Sequence, residues 1–227
     1  MSQSFGPAAL AAALFLFEVL YWTFLSGQRR ALERRLTAIS PRTFYLVPVP
    51  YLARVAILVV YMTLTGAPVL RGLIDNAGWG IATGFALTAC QMLVMLRRVP
   101  RLPGPAERGE VVLFLGYTLI VIALVEETIF RGALLLAVGD GWVALLASSA
   151  AMAAWHIPYY VSVLHPPAMA RSLVLVFVVS LLFGVAVIAT GSLWASILPH
   201  GLGDFAGWVG RRGRAPDRPR TRVREAP

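Results

Sequence analysis

A chain of 227 residues that is 58% hydrophobic and only 14% charged is not an ordinary soluble domain; such domains carry about 45–50% apolar and about 25% charged residues. The formal net charge of +9 rests on 20 arginines, with no lysine. The single cysteine, Cys90, excludes an internal disulfide and a thiolate metal cluster, and no Gly-rich phosphate loop, internal repeat or nucleic-acid motif accompanies the basic charge.

A bilayer removes the burial problem, because a spanning helix needs about 20 mostly apolar residues and faces an apolar solvent. Seven stretches qualify or nearly do: Phe5–Ser26, Phe44–Thr65, Gly78–Leu96, Val111–Val138, Trp142–Leu164, Ser172–Thr190 and Leu193–Val209. The start, Met1 to Gly6, lacks a basic n-region, so the first stretch reads as a span and not a cleaved signal. Pro158 predicts a kink or end in the fifth span, and Gly132 a place where the long fourth span could tilt or break. Cys90, inside an apolar run, reads as a small packing residue. Trp22, Trp79, Trp142 and Trp194 stand near span ends, as interfacial anchors do.

The arginines set the orientation. The stretch after span 1 holds Arg29, Arg30, Arg34, Arg35 and Arg42; that after span 3 holds Arg97, Arg98, Arg101 and Arg108. Arg171 follows span 5, and seven more lie between Arg211 and Arg224, whereas only Arg71 falls on the opposite side. This asymmetry predicts an all-α, polytopic transmembrane bundle with the N-terminus outside and the C-terminus in the cytoplasm. The transmembrane domain covers 1–210. The Arg/Pro-rich tail, 211–227, has no apolar run and is expected to be disordered. Leu102-Pro-Gly-Pro marks a turn-rich loop.

An ionisable side chain at mid-bilayer costs about 2.5–3.5 kcal/mol on insertion scales, so each one needs a reason. Spans 4, 5 and 7 hold Glu126, Glu127, Arg131, His156, His200 and Asp204. Glu127 and Arg131 are four apart and can pair on one helical face. Glu126 points about 100° away from Glu127 and needs another polar neighbour: water, a metal or a histidine. His200 and Asp204, again four apart, form a ridge on a helix where Gly201, Gly203 and Gly207 permit close approach. Counted at about 1.5 Å per residue, these groups fall at overlapping depths. Glu18 and Arg54 lie near spans without a motif and could pair or snorkel, and His165 sits in a solvated His-Pro-Pro loop. Two chemistries fit the set. A Zn-type ion could be held by Glu126, His156 and His200 with one position open, or a carboxylate could activate water directly as general base. A histidine, or a protonated Asp204, would then face the oxyanion.

Glu126-Glu127-Thr-Ile-Phe-Arg131 resembles the EExxxR motif of the CAAX prenyl endopeptidase and bacteriocin-processing family, also called CPBP or Abi. His156 and His200 resemble the histidines of its second and third motifs. The resemblance covers roughly 111–208 and implies an intramembrane protease. By analogy Glu126 activates the water, Glu127 and Arg131 support the site, and His156, His200 and Asp204 complete it. The substrate implied is a membrane-associated or lipid-modified protein, and the location a bacterial cytoplasmic (inner) membrane. Met152 stands where the family usually has an aromatic residue, and Asp204 where it often has Asn. Two other classes stay open: a proton-coupled transporter or channel, since buried Glu, His and Asp also mark proton paths, and a non-catalytic immunity or scaffold protein.

Overall fold

The computed structural model describes residues 5–25, 27, 49–65, 69–95, 108–136 and 141–212. Among them the chain is helical, without strands. The arginine-rich connection after the first helix, the Leu102-Pro-Gly-Pro stretch and the tail beyond Arg212 lie outside the described residues, so the expected orientation and tail disorder do too.

The described part of each expected span is helical, the fifth as two helices. Helix α1 (Phe5–Leu20) runs on into a π-helical turn, Tyr21–Leu25. Helix α2 is Val49–Thr65, α3 the single turn Arg71–Ile74, and α4 Ala77–Met95. Helix α5 spans 108–136 without a break at Gly132. It changes pitch instead. Arg108–Gly116 is α-helical, Tyr117–Ala123 π-helical, Leu124–Glu127 α-helical and Thr128–Leu136 π-helical. The fifth expected span does break. Helix α6 (Trp142–Trp155) ends at a turn on His156, and α7 (Ile157–Val163) starts with Pro158 in its first turn, where a missing N–H costs nothing. Helix α8 is Pro166–Thr190, longer than expected at its start, and α9 is Trp194–Arg212.

Two stretches, Gly109–Leu136 and Pro166–Thr190, are long and apolar enough to cross a membrane; Ala9–Phe24 and Tyr51–Leu64 are apolar but shorter. Large apolar side chains cover the outside, with Leu64 80% and Val143 82% exposed. Such a surface suits lipid and not water. Trp79 and Trp142 are exposed, in keeping with an anchoring role, whereas Trp22 and Trp194 donate their indole N–H groups to the Glu18 carboxylate and the Leu73 carbonyl. Cys90 lies exposed on α4 and not in packing, because its helix turns that side away from α9. His165 is exposed, as expected.

Helix α9 is placed by its start. Gly191, at φ +67°, ends α8 in the left-handed conformation that glycine adopts without strain. The chain then binds α3: Leu193 N–H donates to the Gly72 carbonyl at 2.7 Å. Glycines let α9 lie close to α4 and α5. A Cβ on Gly84 would stand 2.6 Å from the Trp194 carbonyl oxygen, and one on Gly201 would stand 2.7 Å from Leu119. We therefore expect Gly84→Val to cost about 1–3 kcal/mol, the range for overpacking, in thermal unfolding of the detergent-solubilised protein. Gly116→Ala, where nothing lies within 4 Å of the new methyl, should not lower the midpoint, since alanine is the better helix former.

Candidate active site

The single α-helical turn Leu124–Glu127, set between the two π-helical stretches of α5, carries both glutamates into the interior. Glu127 is fully buried and Glu126 nearly so. π-Turns recur at functional sites because they redirect side chains from the ordinary helical faces. Arg131, one turn on, is also fully buried. Its Nε lies 3.3 Å from Glu127 Oε2, and its Nη2 donates to the carbonyl and Oγ of Ser180 on α8, at 3.0 and 2.7 Å. The expected Glu127–Arg131 pair is therefore present.

His200 comes from α9, immediately after Pro199. Its Nδ1 lies 2.7 Å from Glu127 Oε1. A carboxylate only accepts, so Nδ1 carries the hydrogen and Glu127 fixes the ring's tautomer and tilt. The other nitrogen, Nε2, then faces Glu126 Oε2 at 3.8 Å and Asp204 Oδ2 at 3.7 Å. Both separations exceed a hydrogen bond. Asp204 reaches this place from the outer side, with its side chain half exposed.

Glu126 finds a polar neighbour that local spacing does not reveal. Its Oε1 lies 3.3 Å from Arg54 Nη1 and 3.5 Å from the Tyr51 hydroxyl, both on α2. Arg54 and Glu18 do pair: Nε and Nη2 approach Glu18 Oε1 at 2.8 and 2.7 Å.

His156 makes none of these contacts. Its Nδ1 donates to the Met152 carbonyl at 2.8 Å, which leaves Nε2 as the ring's acceptor, and its ring packs near Tyr160 at 5.6 Å. Among the described residues it makes no hydrogen bond or ion pair with Glu126, His200 or Asp204. Because the bond to residue 152 uses the backbone, methionine there preserves it, while the Met152 side chain fills the core with Phe130 and Trp155. A small apolar cleft of about 170 Å³, between α1 and α6, shares Trp155 with this region.

Residues 108–206, from the first turn of α5 into α9, match a family model described as Type II CAAX prenyl endopeptidase Rce1-like. This stretch, 99 of the 227 residues, is similar to Rce1-like endopeptidase domains. It holds Glu126, Glu127, Arg131, His156, His200 and Asp204, and leaves α1 and α2, with Glu18, Tyr51 and Arg54, outside the match. This similarity and the apolar helices together suit an integral membrane protein. Neither the curated proteins nor the solved structures contain a match to it.

The guanidiniums beside the glutamates bear on whether a metal ion could sit here. Among the described residues no three His, Cys, Asp or Glu side chains are grouped to hold one. Each glutamate has a guanidinium beside it, although the Glu127 contact to His200 Nδ1 leaves Nε2 free, as a metal ligand's would be. A divalent cation would meet Arg54 and Arg131 in a setting of low dielectric, where like charges repel strongly.

Proposed function

We propose that this protein is an intramembrane endopeptidase. It hydrolyses a peptide bond in a membrane-associated or lipid-modified protein, with water activated by Glu126 in a bundle of seven spans. The observation that carries this reading is the 3.8 Å gap between Glu126 Oε2 and His200 Nε2, bounded by Asp204 Oδ2. A water bonded to both atoms would sit to one side of the line between them. Glu126 removes its proton as the oxygen attacks the scissile carbonyl. His200, held through Nδ1, turns Nε2 to the developing oxyanion and donates to it as an imidazolium. The proton held by Glu126 then passes to the leaving amine. Asp204 accepts from Nε2 or from the attacking water. His156 presents Nε2 as a second acceptor and reaches the reacting atoms only through the bound substrate or a water. Glu127 and Arg131 hold the ring in place. The two glutamates, both matched with arginines, support this metal-free route over zinc ligation by Glu126, His156 and His200.

The purified protein in lipid vesicles tests this against a farnesylated peptide with a CaaX end. Cleavage should persist after treatment with a metal chelator and disappear in His200→Ala. Loss of cleavage on chelation, restored by zinc, would contradict the route. Proton flux without any cleavage would favour a transporter.

A further inference from the structure

Two of the buried charges, Glu18 at 1% and Arg54 at 6% exposure, lie outside the stretch that carries the Rce1-like match. A pair that merely joined α1 to α2 would need one carboxylate and one guanidinium. Here the guanidinium serves two. Nε and Nη2 hold Glu18 Oε1, and Nη1 extends to Glu126 Oε1. Its plane is fixed as well, since the guanidinium carbon lies 4.2 Å from the Tyr51 ring centre and 4.5 Å from that of Trp155. Glu18 is in turn held by the Trp22 indole N–H on its other oxygen, at 3.1 Å. The Tyr51 hydroxyl approaches the same Glu126 oxygen as Arg54 does. Both of these contacts engage Oε1, and Oε2 is the oxygen presented to His200 Nε2.

We infer that Arg54, anchored by Glu18, is a positioning residue: it clamps one oxygen of Glu126 so that the other faces the water beside His200. This rests on reading Glu126 as the base. A carboxylate on a flexible side chain has two equivalent oxygens and several rotamers, and a base displaced by about 1 Å can lose about 100-fold in rate. The fork of arginine suits the task, because one planar group reaches two carboxylates in fixed directions, whereas lysine offers a single point of charge. The N-terminal helices are then part of the working site, not only packing around it.

Removing Arg54 alone would strand Glu18 as a buried charge and risk misfolding. The test therefore uses the double variant E18Q/R54Q, in which both charges of that pair are lost together while Glu126 keeps His200 beside it. We expect it to fold, to cleave the farnesylated peptide with kcat about 100-fold lower at unchanged KM, and to show Glu126 Oε2 displaced from His200 Nε2 in its experimental structure. R54K in the wild-type background should keep more of the rate than E18Q/R54Q. Wild-type kcat in E18Q/R54Q, or a Glu126 carboxylate that has not moved, would overturn the inference. The structural readout separates this inference from the hydrolase reading: if E126Q still cleaves, the base is misassigned, and the placement of Glu126 in E18Q/R54Q continues to judge the role of Arg54.

Discussion

Glu126→Gln is expected to remove peptide hydrolysis while leaving the protein folded. Gln keeps the length of the side chain and an oxygen that accepts from Arg54 Nη1, so the contacts on the α2 side survive. What it loses is the lone pair that takes a proton from water. General-base catalysis contributes about 10²–10⁴-fold, and kcat should fall by that factor with little change in KM. Glu126→Asp is a sharper version. It retains the acid but withdraws it by one methylene, so it cannot meet Arg54 and the water at once, and it should recover only a small part of the rate. Kinetics on the vesicle-bound protein, with the thermal midpoint as folding control, decide the matter. A fully active E126Q would remove Glu126 from the mechanism.

Arg131→Met should have the largest effect on stability. Arg131 and Glu127 are both fully buried, and among the described residues no other cation approaches Glu127 except His200. Removing one partner of a buried ion pair leaves a stranded charge and costs about 3–5 kcal/mol. The loss should appear as a lower thermal midpoint in detergent. Removing both charges, in E127Q/R131M, should return most of the stability, because a buried pair contributes little net once desolvation is counted. The same double variant should hydrolyse poorly, since Gln holds the Nδ1 side of His200 less strongly than a carboxylate does. A midpoint for R131M equal to that of the parent would mean that Glu127 is neutral or reaches water.

Much of this site was legible in the sequence because its signals are local. Glu127 and Arg131 are four residues apart and pair; His200 and Asp204 are four apart and share a face; Pro158 announces the break at His156. The helices themselves follow from apolar length. What stayed hidden is long-range. Glu126 meets Arg54 across 72 residues of chain and His200 across 74, and no periodicity encodes such a meeting. Residue type did mark Arg54 and Glu18 as costly in an apolar setting, but not that the guanidinium would also reach Glu126. The π-helical turns around Leu124–Glu127 were also illegible, because nothing in the sequence of Tyr117–Ala123 and Thr128–Leu136 marks a change of helical pitch. His156 is the instructive case for the opposite reason. The sequence ranked it with the other polar groups, and the fold gives its Nδ1 to the backbone, away from direct contact with them.

The most direct measurement is a census of protein termini in membranes from cells that carry the protein and from cells that carry E126Q at equal abundance. A set of new termini, derived from membrane-associated proteins, should be present with the parent and missing with the variant. Identical termini in both, with E126Q still seated in the membrane, would contradict hydrolysis at Glu126.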